Sequence, residues 1–206
     1  MITRSVEDLF SGHIDLFIAS PNGQQSSEDR FIPNPRYRDN SDVLAMYHFV
    51  GNLVGVSLRT KQQLGFDLSS QVWKTIVCEE VTDEDLEAVD SGYMEMVKEV
   101  ETASEELKEC FASVFDLVMM VNDSAGNEVE LVPGGEGIAV TWENHLEFAK
   151  LAREMRVNEA KPAAEAIAEG VWEIVPKKVL TLFTWEQLER NVKGEPEVET
   201  GKRSHV

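Results

Sequence analysis

With 206 residues and 42% hydrophobic content, the chain is long enough for one sizeable core, or a core with a small satellite. Its 38 Asp and Glu against 19 Lys and Arg give a net charge of −19, which repels a phosphate backbone or anionic membrane and favours a basic protein surface as partner. Two distant cysteines, Cys78 and Cys110, no apolar run of about 20 residues, and acids within MITRSVEDLF where a signal peptide would stay apolar exclude a disulfide scaffold, a membrane span and a secretory leader; the expectation is a soluble cytoplasmic protein.

Residues 1–40 read as a loop-rich segment, punctuated by Pro21-Asn22-Gly23 and Pro33-Asn34-Pro35, with at most a short strand at Ile14 to Ile18. From Ser41, Val43, Leu44, Tyr47, Val50, Leu53, Val54 and Leu58 recur at three- and four-residue intervals and predict a core helix, with Gly51 and Gly55 spaced for close helix contact. Ser69 is placed to cap a helix through Trp73 to Cys78. Thr82-Asp83-Glu84-Asp85 resembles a capping box opening a short helix with Leu86 and Val89.

A further helix is predicted from Tyr93 to Val100, and then the period changes. Val114 to Val121 and Glu128 to Val132, joined by the turn-forming Asn122 to Asn127, predict a β-hairpin. Thr141 is expected to start a long helix that runs toward Gly170 with a kink or break near Pro162. Pro176 is placed to open a helix through Leu182, and Thr184 to Gln187 to cap another from Trp185 to Val192, ended by Gly194. Residues 195–206 lack apolar anchors and read as a disordered tail. The sum is a mainly α-helical α+β fold with one small hairpin between helices.

Several chemistries are argued against. The stretch Val132 to Asn144, VPGGEGIAVTWEN, has three glycines before a helix, but it lacks the Lys-Ser/Thr of a phosphate loop, and Glu136 stands where a phosphate would sit. A turn is the better reading. His13, His48, His145 and His205 have no zinc-site spacing, and the acids from Glu79 to Glu87 lack the alternation of a calcium loop. Cys110 lies among Glu105, Glu106 and Glu109, a poor setting for a nucleophile. No metal and no cofactor is implied.

Six stretches, taken in order, resemble the N-terminal lobe of HECT ubiquitin ligases. They are FVGNLVGVSL from Phe49, TDEDLEAVD from Thr82, VPGG from Val132, VTWEN from Val140, Glu169-Gly170 with Ile174-Val175-Pro176, and Leu182-Phe183 through Glu186-Gln187-Leu188-Glu189. Arg59-Thr60-Lys61 and Gln71-Val72-Trp73-Lys74 are similar to the large members that carry propeller-type repeats elsewhere. The resemblance implies a partial HECT N-lobe over residues 41–194: a helical body with a small subdomain at about 90–140 that binds a ubiquitin-conjugating enzyme.

Carried over by position, the groove for that enzyme comprises Met96, Val100, Phe111, Ser113 and Phe148, although each side chain fits plain core packing equally well. The family's thioester cysteine lies in a C-lobe, in a Thr-Cys-Phe-Asn context that Glu109-Cys110-Phe111-Ala112 does not match. The resemblance thus implies a docking part that reaches ubiquitin indirectly and has no catalytic residue of its own. The alternative is a non-catalytic module or decoy, a truncated or decayed copy that holds conjugating enzymes or other proteins through its acidic helices.

Overall fold

The computed structural model describes residues 15–24 and 30–194. The segments 1–14, 25–29 and 195–206, and with them Ile14 of the expected strand and the expected tail, lie outside the described residues. Eight helices are described: α1 Ser41–Thr60, α2 Ser70–Val77, α3 Asp83–Val89, α4 Ser91–Glu101, α5 Phe111–Phe115, α6 His145–Ile174, α7 Lys177–Leu180 and α8 Trp185–Lys193. Two antiparallel pairs accompany them, β1 Phe17–Ala19 with β2 Phe31–Pro33, and β3 Met120–Asn122 with β4 Glu128–Glu130. The fold is α+β and mainly helical, as the periodicity predicts.

Helix α1 begins where expected because Asn40 caps it. Its Oδ1 accepts from the N–H groups of Asp42 and Val43 at 3.1 and 3.2 Å. One face, with Tyr47, Val50 and Val54, is buried against α2, the second half of α6 and α8 in a first core that includes Trp73, Ile167, Val171 and Leu188. The approach of α1 to α6 depends on glycine from both sides. A Cβ on Gly51 would stand 2.0 Å from the Ile167 carbonyl oxygen, and one on Gly170 would stand 2.1 Å from the His48 carbonyl oxygen. Two backbones therefore meet with nothing between them, which is what the Gly51–Gly55 spacing permits in a soluble core.

Helix α6 belongs to both of the molecule's cores. Its first half carries Phe148, Ala149, Ala152 and Met155 into a second cluster with Val97, Val100, Phe111, Met119, Val121 and Val140. Pro162 does not break it: the helix runs without interruption to Ile174. A proline there removes one backbone bond and crowds the preceding turn, but Ala160, Ala163, Ala164 and Ile167 are buried on both sides of it and hold the helix against the first core.

Four other expectations need correction. The segment Phe31–Pro33, read as loop, is a strand. It pairs with β1 in the register Phe17↔Pro33, Ile18↔Ile32, Ala19↔Phe31, and Phe31 also bonds across its other edge to Asp67 and Ser69. The first arm of the hairpin does not begin at Val114: Phe111–Phe115 is a helical turn in which the two phenyl rings meet at 4.6 Å, and Asp116 ends it with φ 46°. The strand proper is Met120–Asn122.

Helix α6 starts at His145 rather than Thr141, because the Asn144 side chain accepts from the Thr141 N–H at 2.7 Å and folds residues 141–144 into a turn. Helix α7 stops at Leu180 rather than Leu182, with Pro176 just outside it, since Thr184 must be extended to cap α8. There the Thr184 N–H donates to Gln187 Oε1 at 3.1 Å and Thr184 Oγ1 accepts from the Gln187 N–H at 3.4 Å, the predicted capping box.

The expected caps elsewhere differ in strength. Ser69 sits at the start of α2 but makes no side-chain cap bond. Asp85 instead accepts from the Thr82 N–H at 2.7 Å, from Thr82 Oγ1 at 3.0 Å and from Lys74 Nζ at 2.6 Å. Burial opposes the charged form, yet the bonds from Lys74 and Thr82 outweigh it and hold this carboxyl below its usual range. A depressed folded-state value contributes stability above the unfolded value of about 4, and that stability is lost as pH falls through the folded value. Asp85→Asn is expected to cost about 1 to 2 kcal/mol at pH 7. Urea unfolding at pH 7 and pH 3 should show the gap to the parent protein closing at the lower pH.

Candidate docking surface

Four of the five residues expected to line a groove, all but Ser113, belong to or pack on the second cluster, and three of them form its interior. Val100 and Phe148 are fully buried, and Phe111 is 1% exposed. Phe111 is enclosed by Phe115, by Trp142 with ring centroids at 6.0 Å, and by His145 at 5.2 Å, while Trp142 and His145 stack at 4.6 Å. His145 is pinned through Nδ1 to the Trp142 carbonyl oxygen at 2.6 Å. These rings fill the angle between α5 and the start of α6, so Val100, Phe111 and Phe148 shape the surface from beneath and do not present their side chains on it. Met96 is half-buried against the same cluster, and Ser113 is exposed.

The surface over this core carries other apolar side chains. Val114 on α5 is 55% exposed and Leu146 on α6 is 59% exposed, with Val118 and Ile138 exposed on the two chains joined by the bridge Val118↔Ala139. Exposed carboxylates lie on neighbouring segments: Glu95 and Glu99 on α4, and Glu105, Glu106 and Glu109 before α5. Apolar anchors set among acids suit a partner with a basic rim.

The hairpin is fastened to the rest of the protein by a buried polar tie. Arg156, 1% exposed, donates through Nη2 to Asp90 Oδ2 at 3.1 Å and to the Asn122 carbonyl oxygen at 3.3 Å, and through Nη1 to Ser124 Oγ and to Glu159 Oε1, the latter at 3.1 Å. Glu159 also accepts from the Ser124 N–H at 3.1 Å and from its hydroxyl. The guanidinium lies 3.8 Å from the Tyr93 ring centroid. One cation thereby joins the α3–α4 junction, the hairpin turn and α6. Burial nevertheless pushes the Glu159 carboxyl above the usual carboxylate range, against the pull of Arg156 and Ser124.

None of these polar residues was a sequence candidate, yet a signal was present. Residues 148, 149, 152, 155, 156, 159, 160 and 163 mark the buried face of α6 at three- and four-residue spacing, and two of those positions hold Arg156 and Glu159. Opposite charges one turn apart on a buried face imply a paired network.

The glycine turn is a shaping element. Gly134 has φ 74°, which glycine adopts without cost, and a Cβ on Gly135 would stand 2.2 Å from the Met119 carbonyl oxygen. The amides of Gly135, Gly137 and Ile138 donate to the carbonyls of Val132, Gly134 and Gly135, so they do not converge on an anion. Three of the acids from Asp83 to Glu87 are in ion pairs, Asp83 with Arg153, Asp85 with Lys74 and Glu87 with Lys98. Cys110 is exposed, its sulfur 3.6 Å from the Leu107 carbonyl oxygen.

A helical body crossed at glycine, a small hairpin packed on the first half of a long helix, and the six ordered motifs define a class. The model of the HECT-domain (ubiquitin-transferase) family matches residues 3–203, and the chain belongs to that family as part of its N-lobe region. It is similar to the E3 ubiquitin-protein ligase HERC2 of Mus musculus, 30% identical over 203 residues that cover 96% of this chain and 4% of that protein. It is also similar to the E3 ubiquitin-protein ligases UPL1 of Arabidopsis thaliana, 28% identical over 180 residues (82% of this chain, 5% of that protein), and HACE1 of Gallus gallus, 27% identical over 180 residues (85% and 19%). The chain spans less than a fifth of each of these relatives.

Proposed function

We propose that this chain serves protein ubiquitination as a docking part of a HECT ligase. It receives a ubiquitin-conjugating enzyme on the surface over the second core, while a C-lobe cysteine, which is neither Cys78 nor Cys110, carries the ubiquitin thioester. The observation that supports this reading is the set of exposed apolar side chains Val114, Val118, Ile138 and Leu146, with Met96 and Ser113 beside the same core, amid acidic neighbours. Such anchors supply interface energy, and the carboxylates would steer a basic partner surface toward them. The two exposed free cysteines fit the reducing conditions of the cytoplasm.

Titration of the protein with a panel of ubiquitin-conjugating enzymes tests this reading. At least one is expected to bind in the micromolar range, with Val114→Asp or Leu146→Asp weakening it tenfold or more. Phe148→Ala should act differently, lowering stability by about 3 to 5 kcal/mol through a cavity in the core. The proposal is abandoned if no enzyme binds below millimolar concentration, or if the two surface variants bind as the parent does.

A further inference from the structure

Between α2, the segment from Cys78 to Val81 and the middle of α6 lies a groove of about 570 Å³. Its floor is low because alanine occupies the α6 positions beneath it: Ala160 and Ala164 are buried and carry nothing beyond Cβ. Val81, Val157 and Trp172 supply apolar walls. Trp172 is held in place by the bond from its Nε1 to the Ile76 carbonyl oxygen at 2.9 Å, with Lys177 Nζ 3.9 Å from the ring centroid. The facing wall is fixed as well. Cys78 closes α2 with φ 63°, its N–H donating to the Thr75 carbonyl oxygen at 3.3 Å, and the Glu79 N–H donates to the Lys74 carbonyl oxygen at 2.9 Å. A groove shaped before binding avoids much of the ordering cost of association.

One polar side chain points to a ligand. Gln71 is only 5% exposed, and its carboxamide, which lines the groove, makes no hydrogen bond among the described residues. Its backbone carbonyl, in contrast, accepts from Thr75 Oγ1 at 2.7 Å. A buried amide is costly to leave unpaired, and a carboxamide offers a donor and an acceptor side by side, which match the two halves of a peptide group. Charge sets the kind of ligand. Glu79, Glu80 and Glu165 line the groove against one cation, Lys161. Glu79 also accepts from the Trp185 N–H at 3.1 Å; Glu80 and Glu165 are exposed.

We infer that this groove binds a short basic segment of a partner protein. One apolar side chain of that segment lies over Ala160 and Ala164 between Val81, Val157 and Trp172, a main-chain peptide group pairs with the Gln71 carboxamide, and flanking arginines meet Glu80 and Glu165. Charge complementarity selects this occupant: guanidinium and carboxylate pair strongly, and a net charge of −19 draws a basic partner while it repels an acidic one. The groove lies about three turns of α6 beyond Leu146, so the inference does not rest on where a conjugating enzyme docks.

The test uses three fluorescein-labelled peptides: a leucine flanked by arginines, the same peptide with glutamates for the arginines, and the same peptide with glycine for the leucine. Anisotropy titration of the full chain should give at least tenfold tighter binding of the first than of either other. Glu80→Lys combined with Glu165→Lys should abolish the preference for arginine, with thermal unfolding confirming that this variant folds. Gln71→Met should weaken binding at least threefold without lowering Tm, because an amide that has no partner in the fold adds nothing to folding. Occupancy should slow maleimide labelling of Cys78, which lines the groove, and leave that of Cys110 unchanged. Equal affinity for the three peptides, indifference to either variant, displacement by spermine as effective as by the peptide, or unaltered labelling of Cys78 would overturn the inference.

Discussion

Gly51→Ala is expected to destabilise this protein by about 2 kcal/mol, even though alanine is the better helix former. Mid-helix, alanine gains up to about 1 kcal/mol over glycine. Against this, a Cβ at residue 51 would stand 2.0 Å from the Ile167 carbonyl oxygen, 2.8 Å from its carbon and 3.1 Å from Gly170 Cα. All three are backbone atoms of a long helix, so no rotamer change relieves the contact, and overpacking of this kind costs about 3 kcal/mol. For a chain of this length the net loss is a fall in Tm of about 4 to 8 °C.

Gly170→Ala should do the same from the other side, where the Cβ would stand 2.1 Å from the His48 carbonyl oxygen and 2.9 Å from the Asn52 nitrogen. The double variant should cost less than the sum, because helices already forced apart by one Cβ have room for the second. Gly92→Ala is the internal control. That residue lies in the first turn of α4 with nothing within 4 Å of its would-be Cβ, and the substitution should raise stability by about 0.5 to 1 kcal/mol. Thermal unfolding of the four variants decides the matter; a stabilised Gly51→Ala would mean that α1 and α6 do not meet as described.

What was legible in the sequence and what was not divides along a physical line. Helices α1, α3 and α8 have their own capping groups at Asn40, Thr82 and Thr184 and a face of regular period, so local chemistry sets their limits. The failures lie where distant groups decide. Phe111–Phe115 is β-rich in composition, but its rings are drawn into a helical turn by Trp142 and His145, some 30 residues on in the chain. Phe31–Pro33 looks like loop until β1 and the segment around Leu68 are laid on its two edges. Pro162 reads as a helix breaker, yet the alanines on either side of it are fixed by the core.

The docking residues show a deeper limit. Apolar periodicity locates the face of a helix that avoids water, and it assigns Val100 to such a face correctly, whereas Phe148 is named only by the family resemblance. It cannot say whether that face meets the protein's own core or a partner. Val114 reads from the sequence as the start of a strand and Leu146 as one more apolar residue of the long helix, yet both are exposed. Charge on a buried face is more informative than apolarity, since burying an ion is costly unless a partner waits for it; Arg156 and Glu159 were the most telling residues of α6.

Arg156→Leu should therefore cost about 3 to 5 kcal/mol, about 6 to 20 °C in Tm. The loss comes less from the ion pair itself than from what remains: Glu159 buried without its cation, Asp90 deprived of its 3.1 Å partner, and the hairpin turn at Asn122 and Ser124 untied. The pH dependence gives the sharper test. Burial already raises the Glu159 carboxyl, and removal of Arg156 raises it further, so the folded variant binds a proton that the unfolded chain releases at about pH 4 to 5.

A raised folded-state value means stability that is present below the unfolded value and lost as pH rises through the folded one. The variant should thus lie nearest the parent protein at pH 5 and farthest from it at pH 8. Adding Glu159→Leu removes the stranded charge and should recover much of the loss and most of the extra pH dependence, since a buried pair replaced on both sides by apolar groups often costs little. Denaturant unfolding of the single and double variants at the two pH values measures this directly. A deficit in Arg156→Leu that is the same at both would mean that its cost is lost packing over Tyr93, and that no charge is stranded at Glu159.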